Sequence, residues 1–156
     1  MRLLELMLIT SGTAAAMGDD LSPLQTVERL HQAMTEADAA TAAALLHEDY
    51  RGLSLQGATD KRHVYVESKE KAVHDVAALH KGEWQIRFLK TTTQIDPNGM
   101  AHVWARYVFD LNGVPNHCGY ESYGLLRDGT AWKIVSFADT DNALKGRGVD
   151  EVCPAL

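Results

Sequence analysis

The chain has 156 residues, 46% of them hydrophobic and 23% charged, which is the composition of one globular domain with a sizeable core. Its formal net charge is -6, and its basic residues are scattered, as in Lys69, Lys71 and Lys81. That excludes a surface built for polyanions, because binding phosphates needs clustered Lys and Arg.

The N-terminal residues read two ways. Arg2 precedes Leu3, Leu4, Leu6, Met7, Leu8 and Ile9, and Ala14-Ala15-Ala16 resembles a small-residue cleavage site. Glu5 interrupts that run, and Met17 offers an alternative start, so residues 1–20 read as an extension or a weak signal-like segment. The balance slightly favours a cytoplasmic chain over a periplasmic or secreted one. No run reaches the ~20 apolar residues of a membrane span.

Helices come next. Ser22-Pro23-Leu24-Gln25 combines an N-cap Ser, Pro at the first helical position and Gln three residues after the cap. Leu24, Val27, Leu30, His31 and Met34 then recur at helical spacing. Asp38 caps a second helix through the Ala-rich run that ends at Leu46. Leu53 and Leu55 mark a short strand ending at Gly57. Ser68 caps a third helix, with a stripe of Val73, Val76, Ala77 and His80 and an end at Gly82.

From Glu83 to Thr140 the pattern changes to four long strands. Asp96-Pro97-Asn98-Gly99, Asn112-Gly113 and Asp128-Gly129 each lie between alternating apolar runs, which predicts an antiparallel meander. Each strand holds ~12 residues, roughly 40 Å, long enough to twist and curve around its contents. Taking Asn112-Gly113 as a two-residue turn pairs Trp104 with Glu121, His102 with Tyr123, Arg106 with Gly119 and Val108 with His117. One face then carries His102, Trp104, Arg106, His117, Glu121 and Tyr123. Trp132, Ile134 and Leu125 fill one end of that face, leaving room for a pocket nearer Glu121. The other face is apolar as well, so a partner subunit or further structure should cover it.

In that register Glu121 lies diagonal to both His102 and Arg106, within reach of long side chains. A Glu121–His102 pair suits a general base with its orienting partner, and Trp104 supplies an apolar wall. A Glu121–Arg106 ion pair that fixes the register is the simpler arrangement. Asp139, at the end of the last strand and beside Cys118 in this register, is a further acid/base candidate. Tyr50 is placed at the cavity mouth. His74 and His80 are six apart on one helix and cannot chelate one metal. The chain has no phosphate loop, dinucleotide fingerprint, nucleophile elbow or metal-ligand spacing, so neither cofactor nor metal is implied. Cys118 and Cys153 either pair, closing a long loop, or stay as separate thiols.

Helices first, then a curved sheet ending in Gly129-Thr130-Ala131-Trp132-Lys133-Ile134-Val135-Ser136, resembles the nuclear-transport-factor-2-like (NTF2-like) superfamily. That superfamily includes SnoaL-like polyketide cyclases, ketosteroid isomerases and scytalone dehydratases. Ala101-His102-Val103-Trp104, His117-Cys118-Gly119 and Ala138-Asp139-Thr140 look closest to its uncharacterised, bacterial, lumazine-binding-like branch. The likeness spans Leu24 to Thr140, with the α+β domain at residues 21–141 and a tail at 142–156. It implies a cone-shaped, curved antiparallel sheet of four long strands plus one or two short ones, wrapped around three N-terminal helices. It also implies a hydrophobic cavity and a homodimer formed through the sheet. The catalytic residues of those enzymes do not align here. Ligand-binding positions are therefore read from the predicted face: Tyr50, Trp104, Arg106, His117 and Tyr123, with Glu121, His102 and Asp139 as the catalytic set. The leading expectation is a domain that binds a hydrophobic small molecule. A cofactor-free isomerase, dehydratase or cyclase acting on a hydrophobic carbonyl compound is the alternative, and an oligomerisation module without a ligand is the third.

Overall fold

The computed structural model describes residues 21–57 and 61–156, so the signal-like segment at 1–20 lies outside the described residues. Within them the element order is α1 (Pro23–Glu36), α2 (Ala39–Leu45), β1 (Leu46–Gln56), β2 (His63–Ser68), α3 (Lys69–Ala78), β3 (Trp84–Asp96), β4 (Met100–Leu111), β5 (Val114–Asp128), β6 (Ala131–Ala143) and α4 (Val149–Val152). No helix among them is long and apolar enough to cross a membrane.

The helix starts follow from local chemistry. The Ser22 hydroxyl accepts from the Gln25 amide while the Gln25 side chain accepts from the Ser22 amide, which satisfies two of the orphan donors of α1. Asp38 and Ser68 accept from the amides of Thr41 and Lys71 to start α2 and α3. α3 stops at Ala78 rather than Gly82, and Val76 is its buried residue while Ala77 and His80 are exposed.

The sheet runs β2-β1-β6-β5-β4-β3. It is mixed rather than wholly antiparallel, because β1 returns beside β6 in parallel. The chain has crossed the sheet through α3 and the meander before β6 meets β1, so the two run the same way. Asn112 and Gly113 both have positive φ (51° and 76°), the conformation of a hairpin turn whose twist matches its strands. As expected, Leu111 pairs with Val114.

Two residues further on, the register departs from that expectation. Asp110 faces Pro115, but Phe109 faces His117, so Asn116 is an extra residue in β5. From there every pairing moves by one: Ala105 faces Glu121, Val103 faces Tyr123, and Trp104 faces Ser122. A slip of one residue exchanges the faces of a strand. Thus His102, Trp104 and Arg106 lie on one side of the sheet, and His117, Glu121 and Tyr123 on the other. Proline cannot donate to a ladder and favours bulges, so Pro115 was the signal for this one. A second irregularity lies in β6: Leu125 faces Ile134 but Gly124 faces Ser136, leaving Val135 extra. It turns Phe137 and Asp139 to the face of Tyr123 and Glu121, and Asp139 comes opposite Glu121 rather than beside Cys118.

The helices lie on the inner face. Val27, Leu30 and Ala33 of α1 pack with Val103, Tyr123, Leu125, Trp132 and Ile134 into the main core, so Trp132, Ile134 and Leu125 fill one end of the cup. The outer face carries a smaller core of Val108, Cys118, Leu144 and Cys153, made when the C-terminal segment folds back over the sheet. Cys118 and Cys153 are joined in a disulfide.

Candidate functional site

The unfilled end of the cup is a cavity of about 460 Å3. Its apolar walls come from the helices (Leu30, Met34, Val76) and from Trp84, Phe109 and Phe137 on the sheet. Polar groups meet on its β5–β6 floor and beside β1 and β2.

Glu121 is central and only 1% exposed. The Tyr123 hydroxyl lies 3.1 Å from Glu121 Oε2 and 2.7 Å from His31 Nε2. His31 comes from α1, where the helical stripe turns it inward against Phe88, with ring centroids 4.8 Å apart. Burial pushes its imidazole down to about 3, so it is neutral at ordinary pH. Burial also drives the Glu121 carboxyl well above the usual range, and Asp139 across the strand pair pushes in the same direction. A protonated Glu121 donates to Tyr123, which donates to Nε2 of His31. An ionised Glu121 reverses the chain, and His31 then donates through Tyr123. The three side chains form one hydrogen-bonded chain whose donor directions follow the charge on Glu121.

Asp139 is the cross-strand neighbour of Glu121. Tyr107 donates to its Oδ2 at 2.9 Å, while Oδ1 is buried without a hydrogen-bond partner among the described residues. Burial raises its carboxyl too, against the pull of the hydrogen bonds it accepts. The absence of a side chain at Gly119 matters here, because a Cβ would collide with the Thr140 carbonyl that lies beside the Tyr107 hydroxyl. Tyr50 donates to Glu67 Oε1 at 2.9 Å, and burial lifts the Glu67 carboxyl as well. His117 stacks on Phe109, with centroids 4.5 Å apart, and its Nδ1 is 3.8 Å from Asp141. Burial lowers the His117 imidazole, and Asp141 opposes that shift.

Five of the residues singled out from sequence therefore line this cavity: Tyr50, His117, Glu121, Tyr123 and Asp139. The other three do not. His102 Nε2 lies 2.9 Å from the Ser122 hydroxyl on the outer face. Trp104, 40% exposed there, stacks on Tyr120. Arg106 is buried beneath the C-terminal segment, where it donates to the Cys153 carbonyl and pairs with Asp150. Neither the Glu121–His102 base nor the Glu121–Arg106 ion pair exists, because the bulge at Asn116 sets their members on opposite faces. Sequence reasoning left out Glu67 and Tyr107 and placed His31 only in the α1 stripe. A His in an otherwise apolar helical stripe was the available signal for the last, and Glu67 had none. Among the described residues, one grouping could hold a cation through several ligands, His47, Glu48 and Asp49; it is a consecutive run on β1 outside the cavity.

The architecture matches solved structures across about three quarters of the chain. An NTF2-like protein of unknown function from Shewanella baltica covers 76% of this chain and 89% of its own, at 12% identity and a TM-score of 0.55. This chain has the NTF2-like fold. An NTF2-like protein from Cytophaga hutchinsonii superposes with a TM-score of 0.58 at 15% identity, covering 76% of this chain and 93% of its own. A Nostoc punctiforme protein of unknown function, described as having a cystatin-like fold, reaches 0.59 at 10% identity over 76% and 87%. No protein-family model and no curated protein matches the chain by sequence. The NTF2-like likeness thus fixes the architecture, and function has to be argued from the cavity.

Proposed function

We propose that this chain is a small-molecule-binding domain whose ligand occupies the cavity between the helices and the curved sheet. The observation that carries this reading is the cavity itself, about 460 Å3, with apolar walls and carboxyl and phenol groups converging on one floor. That volume lies within the roughly 300–1,000 Å3 of small-molecule sites, which combine apolar surface with a few placed polar groups. Ala72 on α3 lines the space and is half-buried, so the indole of Ala72→Trp reaches into it and plugs it. Thermal-shift titration with 2-phenylethanol should raise the melting temperature of the wild type and leave that of Ala72→Trp unmoved. Equal shifts in the two proteins would place binding elsewhere. An oligomerisation module without a ligand has no use for such a cavity.

A second reading, a cofactor-free isomerase, dehydratase or cyclase, is favoured by the facing carboxyls. Glu121 is held protonated more firmly than Asp139, which accepts from Tyr107. That difference suits Glu121 as acid and Asp139 as base on a carbonyl compound. Exchange of α-protons of 2-cyclohexenone into deuterated buffer, faster with wild type than with Asp139→Asn, tests it by NMR.

We also propose a homodimer through the part of the outer face left uncovered by the C-terminal segment. Met100, Trp104 and Leu126 are exposed there, at 59%, 40% and 38%. Native mass spectrometry should give twice the chain mass, and the monomer mass for Met100→Glu. The Cys118–Cys153 bond supports an oxidising compartment over the cytoplasm.

A further inference from the structure

The polar groups of the cavity are of one kind. Glu67, Asp75, Glu121, Asp139 and Asp141 all line it, and no Lys or Arg stands among the described lining residues. Two of these carboxylates are accounted for. Lys71 neutralises Asp75 at 2.7 Å, and His117 lies 3.8 Å from Asp141. Glu67, Glu121 and Asp139 have no such partner, since the His31 imidazole 3.7 Å from Glu121 is kept neutral by burial. Their hydrogen bonds come from Tyr50, Tyr123 and Tyr107, which are uncharged donors, and Asp139 Oδ1 is buried with none. Buried carboxylates ordinarily meet a cation or a metal. Here the protein supplies neither, although it builds a paired cation for Asp110, which Arg87 holds through two hydrogen bonds.

We propose that the ligand is an organic cation, a protonated or quaternary amine carried on a compact apolar body. This rests on the reading of the cavity as a ligand site and names the class of ligand it takes. The ammonium sits against Glu121 and Asp139, whose cross-strand positions bring their Cβ atoms to about 5 Å. Between them a cation supplies the missing counter-ion and is attracted to the carboxyl that ionises. The apolar body lies among Trp84, Phe109 and Phe137, whose ring faces also favour a nearby positive charge. An anionic ligand meets the reverse: carboxylates on the floor and no cationic donor to receive it.

Proton bookkeeping follows from the same geometry. In the empty cavity burial pushes the Glu121 carboxyl well above the usual carboxylate range, so that it holds its proton, and raises that of Asp139. The titratable groups around them are His31 on α1, Tyr50 on β1, Glu67 on β2, Asp75 on α3, Tyr107 on β4, His117 and Tyr123 on β5 and Asp141 on β6; burial lowers both imidazoles, and none of the others is a cation. Entry of a cation therefore expels a proton to solvent, so that one charge replaces another and the buried site stays neutral overall. No bond is made or broken apart from that O–H.

Isothermal titration with three probes of one skeleton tests this: 2-phenylethylammonium, 2-phenylethanol and phenylacetate. The ammonium should bind about tenfold tighter than the alcohol or better, and phenylacetate should not bind. Repeating the ammonium titration in buffers of different ionisation enthalpy should show proton release. In the Glu121→Gln/Asp139→Asn double variant the preference for ammonium over alcohol should disappear and the proton release should vanish. Alcohol binding as tightly as ammonium, or binding of phenylacetate, overturns the inference while leaving the ligand site standing. If none of the three binds, the ligand-site reading fails with it.

Discussion

The β4–β5 hairpin buries charged groups on both faces, and the faces treat them differently. On the outer face Arg106, 7% exposed, donates to the Cys153 carbonyl and pairs with Asp150, beneath a segment fastened by a disulfide. On the inner face Glu121, 1% exposed, meets phenol, neutral imidazole and a second carboxyl. The outer arrangement is closed: its donors and acceptors are matched within the chain. The inner one is open, and it adjoins empty space. A buried charge matched within the chain speaks for architecture, whereas one left unmatched beside a cavity speaks for a ligand or a reaction.

The harshest way to break this comparison is to erase what separates the faces. Inserting one residue between Asn116 and His117, with the one-residue bulge kept, moves every later residue of β5 by one place and would put Trp104 opposite Glu121. Tyr123 and Leu125, both buried, would then point outward, and Ser122 and Gly124 inward. Each large apolar side chain lost from the core costs about 1.5–3 kcal/mol, and Glu121 would face the wrong surroundings. The sum rivals the whole stability of a domain, about 5–15 kcal/mol, so the variant should lack a cooperative melting transition by calorimetry. A variant that melts sharply with native near-ultraviolet dichroism would show that the hairpin absorbs a second extra residue and that the residue count of β5 does not decide the faces.

Next in size is the outer latch. Cys118 and Cys153 are 35 residues apart, and closing such a loop stabilises a chain by about 4 kcal/mol. Cys118→Ala with Cys153→Ala should therefore lower the melting temperature by roughly 10 °C. Below that temperature, cavity binding should be unchanged, because the latch touches only the outer face. Loss of binding in the folded variant would mean that the two faces are coupled.

These two cases also mark what could be read from sequence. Ser22, Asp38 and Ser68 announced the helix starts, and Asn112-Gly113 announced its turn, because caps and two-residue turns are local chemistry. Glu121, Tyr123 and Asp139 stood out as polar residues in long apolar strands. Which face they share was not legible from turns alone, since one inserted residue inverts everything beyond it. Pro115 and Gly124, both poor strand residues, were the marks of the two irregularities. The parallel pairing of β1 with β6 joins residues as far apart as Leu46 and Ile134, and no local pattern encodes it.

Acidity separates the faces more gently. Glu121 keeps its proton in the folded chain to a pH well above its ordinary 4.5, so the stability it contributes is full below that value and is lost as pH rises through the folded one. His31 runs the other way. Its folded value near 3 lies below the ordinary 6.5, so its contribution is full above pH 6.5 and is lost as pH falls toward 3. Melting temperature should thus decline on both sides of the interval from 4.5 to 6.5. Glu121→Gln should flatten the alkaline limb and His31→Gln the acid limb. Parallel curves for wild type and Glu121→Gln between pH 6.5 and 9 would mean that Glu121 is ionised in the folded chain.

The smallest expected effect is the one that the turn-based register would have made large. With Trp104 and His102 beside Glu121, removing either would strip the site of a wall or of the base's partner. With both on the outer face, Trp104→Ala loses only its stacking on Tyr120, and His102→Ala only its contact with Ser122. Partly exposed side chains of this kind cost about 1 kcal/mol or less. Binding of 2-phenylethanol should stay within about twofold of wild type in both, since a factor of two is under 0.5 kcal/mol. A tenfold loss in either variant would place that residue back among the cavity walls, and the division between a matched outer charge and an unmatched inner one would have to be redrawn.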